Sequence, residues 1–400
     1  MSLLVHESMA ALLRTAATER DLRPDGRVLI VGSGVSGMSV AARMMGSVAV
    51  DEGIETVIAF HRGAATRQRA LRPQSARLDI IQAMRHQRRW LRTVAPPAKL
   101  RAVFDRFAGV VICGPGPLLG MAAALQDSPT RSLGLIDVTV PLHADQNGWP
   151  DVAWVRRAAR AERAALAAVD HVGAISSWCG WSLVHDVGLA EDRVSVVALS
   201  ARRPHTTRSW GTEPRSSEPL RLIVVGQPAV RKGMDRVERW LAARPDVSVE
   251  LHLAGATYAS PDRRVINHGA VPHERLVSEL LPSMDLLVHP TRRDQSSRVI
   301  VEAAMAGVPA VAMAVGGIPE LIHHDRTGWL VQADSRAELA RNLDALVADP
   351  DRIRRAGLAA ARWAEAFDAD LTYGPVVRWL AGWTGGIAGR RPYDWGLHEQ

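Results

Sequence analysis

Cysteine is nearly absent: two residues in 400, Cys113 and Cys179. Both sit in apolar stretches, VVICGP and SSWCGW, without a ligand-like neighbour, which excludes a disulfide framework and a zinc site and suits a reducing cytoplasm. Aromatic residues make up only 5% of the chain. No zinc finger, helix-turn-helix or stacking-aromatic motif accompanies them, so nucleic acid is not an expected partner. Acidic excess is lacking too. The formal net charge is +7 with a pI near 10.3, a balance that favours phosphates or anionic lipid surfaces, although a general preference for Arg over Lys explains it equally well. The first residues, MSLLVHESMAALLRTAATERD, contain acids and no long apolar core, which argues against a signal peptide. One uncharged run, Phe107–Leu125, reaches membrane length, but Gly114-Pro115-Gly116-Pro117 interrupts it. It reads as a buried strand, a loop and a helix start.

What is present is enough apolar residue for full cores: 47% hydrophobic against 23% charged, at a length that accommodates two domains. The most informative stretch is Asp294 to Val331. It parses as loop, helix, glycine stop, strand, Gly-Gly turn and helix start. Ser296 and Ser297 are expected to cap the helix, Gly307 and Pro309 to end it, and AVAMAV to form a buried parallel strand. Asp294 and Glu302 flank the helix N-terminus, where free N–H groups and a partial positive charge receive phosphate. A carboxylate one or two turns further in can accept both hydroxyls of a ribose. A phosphorylated, sugar-bearing ligand is the expected occupant.

These residues resemble the donor-binding segment of the retaining GT-B glycosyltransferases of glycosyltransferase family 4. The similarity lies in Asp294 and Glu302, Gly307-Val308-Pro309, Gly316-Gly317-Ile318-Pro319-Glu320 and Thr327-Gly328, with Asp294 where the family usually carries Glu. A second match is the turn after LRLIVV: Gly226, Lys232 and Gly233 fit the family's pattern, Gln227 stands where Arg is usual, and Arg231 adjoins the Lys. The resemblance implies an α/β protein of GT-B architecture, with two Rossmann-like doubly wound parallel-sheet domains facing a cleft. It implies an acceptor-side domain over 1–200, a linker over 201–219, a donor domain over 220–372, and a final helix from about 373 to 400 packing back on the first domain. It further implies that Lys232 and Arg231 stabilise the departing diphosphate, that Ser296, Ser297, Arg298 and Val299 offer the helix start to it, that Glu302 holds the ribose, and that Asp294 meets the transferred sugar. Val271 falls where the family's backbone holds the base. The co-substrate would be a UDP- or GDP-sugar; no further cofactor and no metal is implied. The acceptor would be a small molecule, a glycan or a lipid-linked sugar.

In the first half, RVLIVGSGVSGMSVAARMM follows a strand, glycine turn, helix pattern. Gly32-Ser33-Gly34-Val35-Ser36-Gly37 is formally a phosphate-approach turn. The strand after it, TVIAF, ends without the acid that a dinucleotide ribose needs. In the resembling family Gly34 and Gly37 would leave room for donor phosphates; a tight turn alone accounts for them as well. Asp137, near the end of the strand RSLGLIDVT, best matches the family's acceptor-side acid or histidine, with His143 a nearby alternative; each could orient or deprotonate an acceptor hydroxyl. Residues 61–106 hold twelve Lys or Arg against Asp79 and Asp105. They can form a helix face that meets anionic lipid at the inner side of the membrane, or a solvated face. Asp368-Ala369-Asp370, formally D-x-D, stands at a helix start and reads as capping. Three other functions stay open: a dinucleotide-dependent oxidoreductase using Gly32, Gly34 and Gly37; a catalytically altered GT-B sugar-nucleotide binder; and a GT-B phosphorylase or epimerase.

Overall fold

The computed structural model describes residues 3–6, 8–18, 27–33, 37–60, 95–210, 219–227, 229–255 and 258–382. The chain divides into two compact units, one comprising residues up to Ala198 and again from Ala369, the other Leu199–Asp368.

In the first unit the strands are β1 (Leu3–His6), β2 (Val28–Gly32), β3 (Thr56–Phe60), β4 (Gly109–Cys113), β5 (Arg131–Ile136), β6 (His171–Ala174) and β7 (Val194–Val196). They form one parallel sheet in the order β1-β3-β2-β4-β5-β6-β7. The helices are α1 (Met9–Thr18), α2 (Gly37–Asp51), α3 (Pro97–Phe104), α4 (Pro115–Leu125), α5 (Val140–Gln146), α6 (Ala153–Ala167) and α7 (Ser177–His185). β2, β3 and β4 are buried at every position. That is what an unbroken apolar strand requires when helices cover both faces of a parallel sheet. The apolar run from Phe107 becomes β4 and α4, and Gly114 turns the chain between them at φ 99°. No helix among the described residues is long and apolar enough to cross a membrane. Both cysteines are buried thiols.

In the second unit the strands are β8 (Leu220–Val225), β9 (Val249–Ala254), β10 (Val265–Gly269), β11 (Leu286–His289), β12 (Ala310–Met313) and β13 (Gly328–Val331), parallel in the order β10-β9-β8-β11-β12-β13. Its helices are α8 (Met234–Ala242), α9 (His273–Arg275), α10 (Arg298–Met305), α11 (Arg336–Ala348) and α12 (Pro350–Ala364). The order reverses between β8 and β11. Loops leaving the carboxyl ends of those two neighbours therefore open on the place where sheets of this kind bind ligands.

Leu3–His6, a short apolar segment, adds edge strand β1 alongside β3, and α1 follows. Two expectations need correction. The stretch from 201 is not a free linker as far as it is described. Its residues to Trp210 belong to the second unit, because the Arg208 guanidinium pairs with buried Asp285, Arg208 N–H donates to the Ala306 carbonyl at 2.6 Å, and Trp210 Nε1–H donates to Gly307 O at 2.9 Å. Residues 211–218 lie outside the described residues. The return to the first unit starts earlier than residue 373, with α13 (Ala369–Leu380). This helix reaches β4 so closely that a Cβ on Gly109 would stand 2.4 Å from Leu380 O. Arg131 Nη1 donates to Trp379 O at 2.8 Å, and Arg378 pairs with Glu52, just after α2.

Candidate active site

The turn between β8 and α8 and the loop after β11 are laced into one wall. Lys232 Nζ lies 2.6 Å from Asp294 Oδ2, with both side chains largely buried. Arg231 supplies its backbone carbonyl to the Arg292 N–H at 2.9 Å and to Thr291 Oγ1 at 3.2 Å. Its guanidinium in turn donates to Arg293 O at 3.1 Å and Gln227 O at 2.7 Å. Asp235, in the first turn of α8, takes both Arg292 Nη1 and Nη2 at 2.7 and 2.8 Å. Two glycines make this approach possible. A Cβ on Gly233, at φ 76°, would stand 2.0 Å from Pro290 O, and one on Gly226, at φ 124°, would stand 2.8 Å from Lys232 Cε. Gln227, in place of the usual Arg, donates its amide to Gly255 O and so ties the turn to the end of β9.

Asp294 is ionised. Burial alone would push its carboxyl upward, but the Lys232 ammonium and a hydrogen bond from His289 overcome this and hold it well below the usual carboxylate range. Asp294 Oδ1 also accepts the Gln295 N–H at 3.0 Å. The second carboxylate, Glu302, is 5% exposed on α10. Its Oε1 lies 2.8 Å from Nε2 of His273, and that hydrogen bond raises the His273 pKa against the opposing effect of burial. His273 opens α9 two residues after Val271, which is half-buried beyond β10. Neither histidine partner is part of the sequence-level expectation. His289 could have been noticed as the polar end of an apolar strand, LLVH. His273 had no such signal.

The helix start differs from expectation. α10 begins at Arg298 with Ser297 in the N-cap place, yet no side-chain cap bond forms. The extended backbone at Ser297 (φ −108°, ψ 101°) does not bring its hydroxyl onto the first-turn N–H groups. Those groups are therefore not taken up by a cap, and Ser296 Oγ is buried without a hydrogen-bond partner among the described residues. The Arg298 side chain donates from Nη1 to Ser200 O at 2.9 Å, fastening the incoming chain. Val299 is half-buried in the first turn of α10.

In the first unit Gly34 lies outside the described residues, as do 61–94 of the basic segment. Gly37 opens α2, and a Cβ there would meet no atom within 4 Å. Gly32 is required by packing, since a Cβ would stand 2.8 Å from the Phe60 ring. β3 ends at that Phe60, with no acid for a dinucleotide ribose. Asp137 follows β5. Thr139, not Asp137, caps α5, accepting the Leu142 N–H at 3.4 Å and meeting Ser182 Oγ at 2.6 Å. Glu162 of α6 accepts the Val140 N–H at 2.8 Å. Burial drives its pKa up to about 8, and Asp137 adds to the rise. His143 lies in the last turn of α5, edge-on to Trp149 at 5.1 Å.

Residues 215–349 match the family model described as Glycosyl transferases group 1. The matched residues lie within the second unit, which is similar to a group 1 glycosyl transferase domain. The match spans β8, both loops of the wall and α10. D-inositol 3-phosphate glycosyltransferase of Nocardia farcinica is 34% identical over 148 residues, 37% of this chain and 30% of that protein. The enzyme of the same description from Streptomyces avermitilis is 42% identical over 85 residues, 21% and 18% respectively. The chain thus spans less than a third of the length of these curated relatives. Among solved structures, sucrose-phosphate synthase from Thermosynechococcus elongatus aligns with a TM-score of 0.69 at 17% identity, covering 88% of this chain and 98% of that one. HepE of Anabaena, solved with UDP-glucose, aligns with a TM-score of 0.67 at 16% identity, covering 89% and 100%. The second unit is therefore one of two Rossmann-like parallel-sheet domains of a GT-B fold.

Proposed function

We propose that the chain is a retaining glycosyltransferase that moves a hexose or pentose from a nucleotide diphosphate sugar to an acceptor hydroxyl. The observation that carries this reading is the buried Lys232–Asp294 pair at the point where the sheet order reverses, beside the uncapped start of α10. A diphosphate placed there meets an ammonium, the Arg231 guanidinium and first-turn N–H groups in a largely buried setting, where such interactions are strong. Glu302 accepts the ribose hydroxyls and Asp294 the hydroxyls of the transferred sugar. Gly226, Gln227 and Val271 shape the backbone around the diphosphate and the base. Ser296 and Ser297 supply hydroxyls at the helix start.

The acceptor oxygen forms its bond to the anomeric carbon on the face from which the diphosphate departs. The electron pair of the broken C–O bond leaves with the β-phosphate oxygen, and that oxygen takes the acceptor proton. Lys232 and Arg231 stabilise the charge that develops there. Asp137 or His143 orients the acceptor hydroxyl. UDP-glucose in HepE makes UDP the first nucleotide to test, with GDP beside it. The test is calorimetry with both nucleotides on the wild type, Glu302→Ala and Lys232→Ala. Each substitution is expected to weaken binding by at least about tenfold; Lys232→Ala also lowers the melting temperature, because it strands the buried Asp294 carboxylate, and the fold is checked to persist at the temperature of the titration. Unchanged binding in Glu302→Ala overturns the donor-site assignment.

A further inference from the structure

His289 is completely buried at the end of β11, against the Lys232–Asp294 pair. Its Nε2 is 3.1 Å from Oδ2 of Asp294, the oxygen that also receives Lys232 Nζ at 2.6 Å. A carboxylate only accepts, so Nε2 carries the hydrogen. Nδ1 is buried and has no hydrogen-bond partner among the described residues. Burial, and then the Lys232 ammonium nearby, push the His289 pKa down against the pull of Asp294. Among the described residues the imidazole therefore has a single polar contact. The rest of the strand, Leu286, Leu287 and Val288, is apolar, and an apolar residue at 289 would satisfy packing without an orphaned ring nitrogen.

We propose that His289 is a positioning residue for the diphosphate: by holding Asp294 Oδ2 it fixes the carboxylate orientation that keeps the Lys232 ammonium in place. The inference rests on the donor reading given above. Asp294 Oδ1 accepts the Gln295 N–H, so a donor from His289 on one oxygen and one from the backbone on the other both restrict rotation of the carboxylate. Lys232 is long and flexible and takes its position from that anchor. Removing the His289 donor lets carboxylate and ammonium drift together. The interaction lost is the one with the β-phosphate; contacts with base and ribose, around Val271 and Glu302, are untouched.

UDP and UMP differ by that β-phosphate, so the ratio of their dissociation constants isolates it. Calorimetry on the full chain compares wild type, Lys232→Ala, His289→Leu and His289→Gln, with melting temperatures recorded for each. The wild type is expected to prefer UDP, and Lys232→Ala to lose that preference. His289→Leu is expected to weaken UDP binding by about tenfold while UMP binding stays unchanged. His289→Gln, which keeps an N–H donor, is expected to restore most of the difference, and it carries the test if the Leu variant fails to fold. A UDP-to-UMP ratio in His289→Leu equal to that of wild type, with Lys232→Ala collapsed, overturns the role of His289 and leaves the donor reading standing. Loss of UMP and UDP binding in equal measure, or failure of Gln to rescue, also overturns it. A wild type that binds neither nucleotide, nor GDP, removes the donor reading itself.

Discussion

Nε2 of His273 lies 2.8 Å from Oε1 of Glu302, so the buried carboxylate assigned to the ribose already holds one partner from α9. The histidine is 45% exposed and the carboxylate 5%. The hydrogen bond raises the His273 pKa above its unfolded value. The charged pair therefore stabilises the fold fully below the unfolded histidine pKa of about 6.5, and this contribution is lost as pH rises through the higher folded value. The difference in melting temperature between wild type and His273→Ala is expected to be widest near pH 5.5 and to shrink toward pH 8.5. A gap that is constant across this range contradicts the pairing.

Gly226 should tolerate no side chain. Its φ of 124° is in the region that favours glycine, and a Cβ would press on Lys232 Cε at 2.8 Å. Gly226→Ala is expected to cost about 1–3 kcal/mol of stability through backbone strain. It should also weaken UDP binding, because the lysine is pushed off Asp294. Denaturant midpoints and calorimetry on the same preparation check both effects.

Arg208 ties the segment entering the second unit to its core. Its guanidinium pairs with Asp285, the two side chains being 6% and 3% exposed, and Asp285 Oδ2 also accepts the Arg221 N–H at 2.8 Å. Arg208→Ala would leave a buried carboxylate with a backbone partner but no counter-ion. The expected loss is about 3–5 kcal/mol, visible as a lower urea midpoint. Arg208→Ala combined with Asp285→Asn is expected to recover part of it, because the stranded charge is gone.

Glu162 should make stability fall with rising pH. Its folded pKa is up to about 8, chiefly through burial, opposed by the Val140 N–H and assisted by Asp137. A carboxyl raised in this way binds its proton more tightly folded than unfolded. Stability is therefore fully present below the unfolded value and is lost as pH rises through the folded one, a window from about 4.5 to about 8. Glu162→Gln keeps an acceptor for Val140 and cannot ionise. Its urea midpoint, relative to wild type, is expected to gain between pH 5 and pH 8.5; an unchanged difference would show that Glu162 is charged throughout.

Local pattern made much of this protein legible from sequence. Unbroken apolar runs such as VLIVG, GVVIC and AVAM became strands buried on both faces, because period and length alone encode that placement. The spacing of Asp294 and Glu302 across a helix start, and the glycine-lysine turn at 226–233, were equally readable, since each is a short-range device. The cap on α10 was not, because a serine in the N-cap place bonds only if its backbone turns the hydroxyl inward. Pairings over distance were decided by the tertiary structure. Lys232 and Asp294 are 62 residues apart and meet because β9 and β10 lie on the far side of β8, leaving β11 as its other neighbour. His273 reaches Glu302 across 29 residues, Arg208 reaches Asp285 across 77, and His289 finds Asp294 only once the loop after β11 folds back on its own strand. Which ionisable groups are buried together depends on strand order, and strand order is a property of the whole sheet that no local run of residues carries.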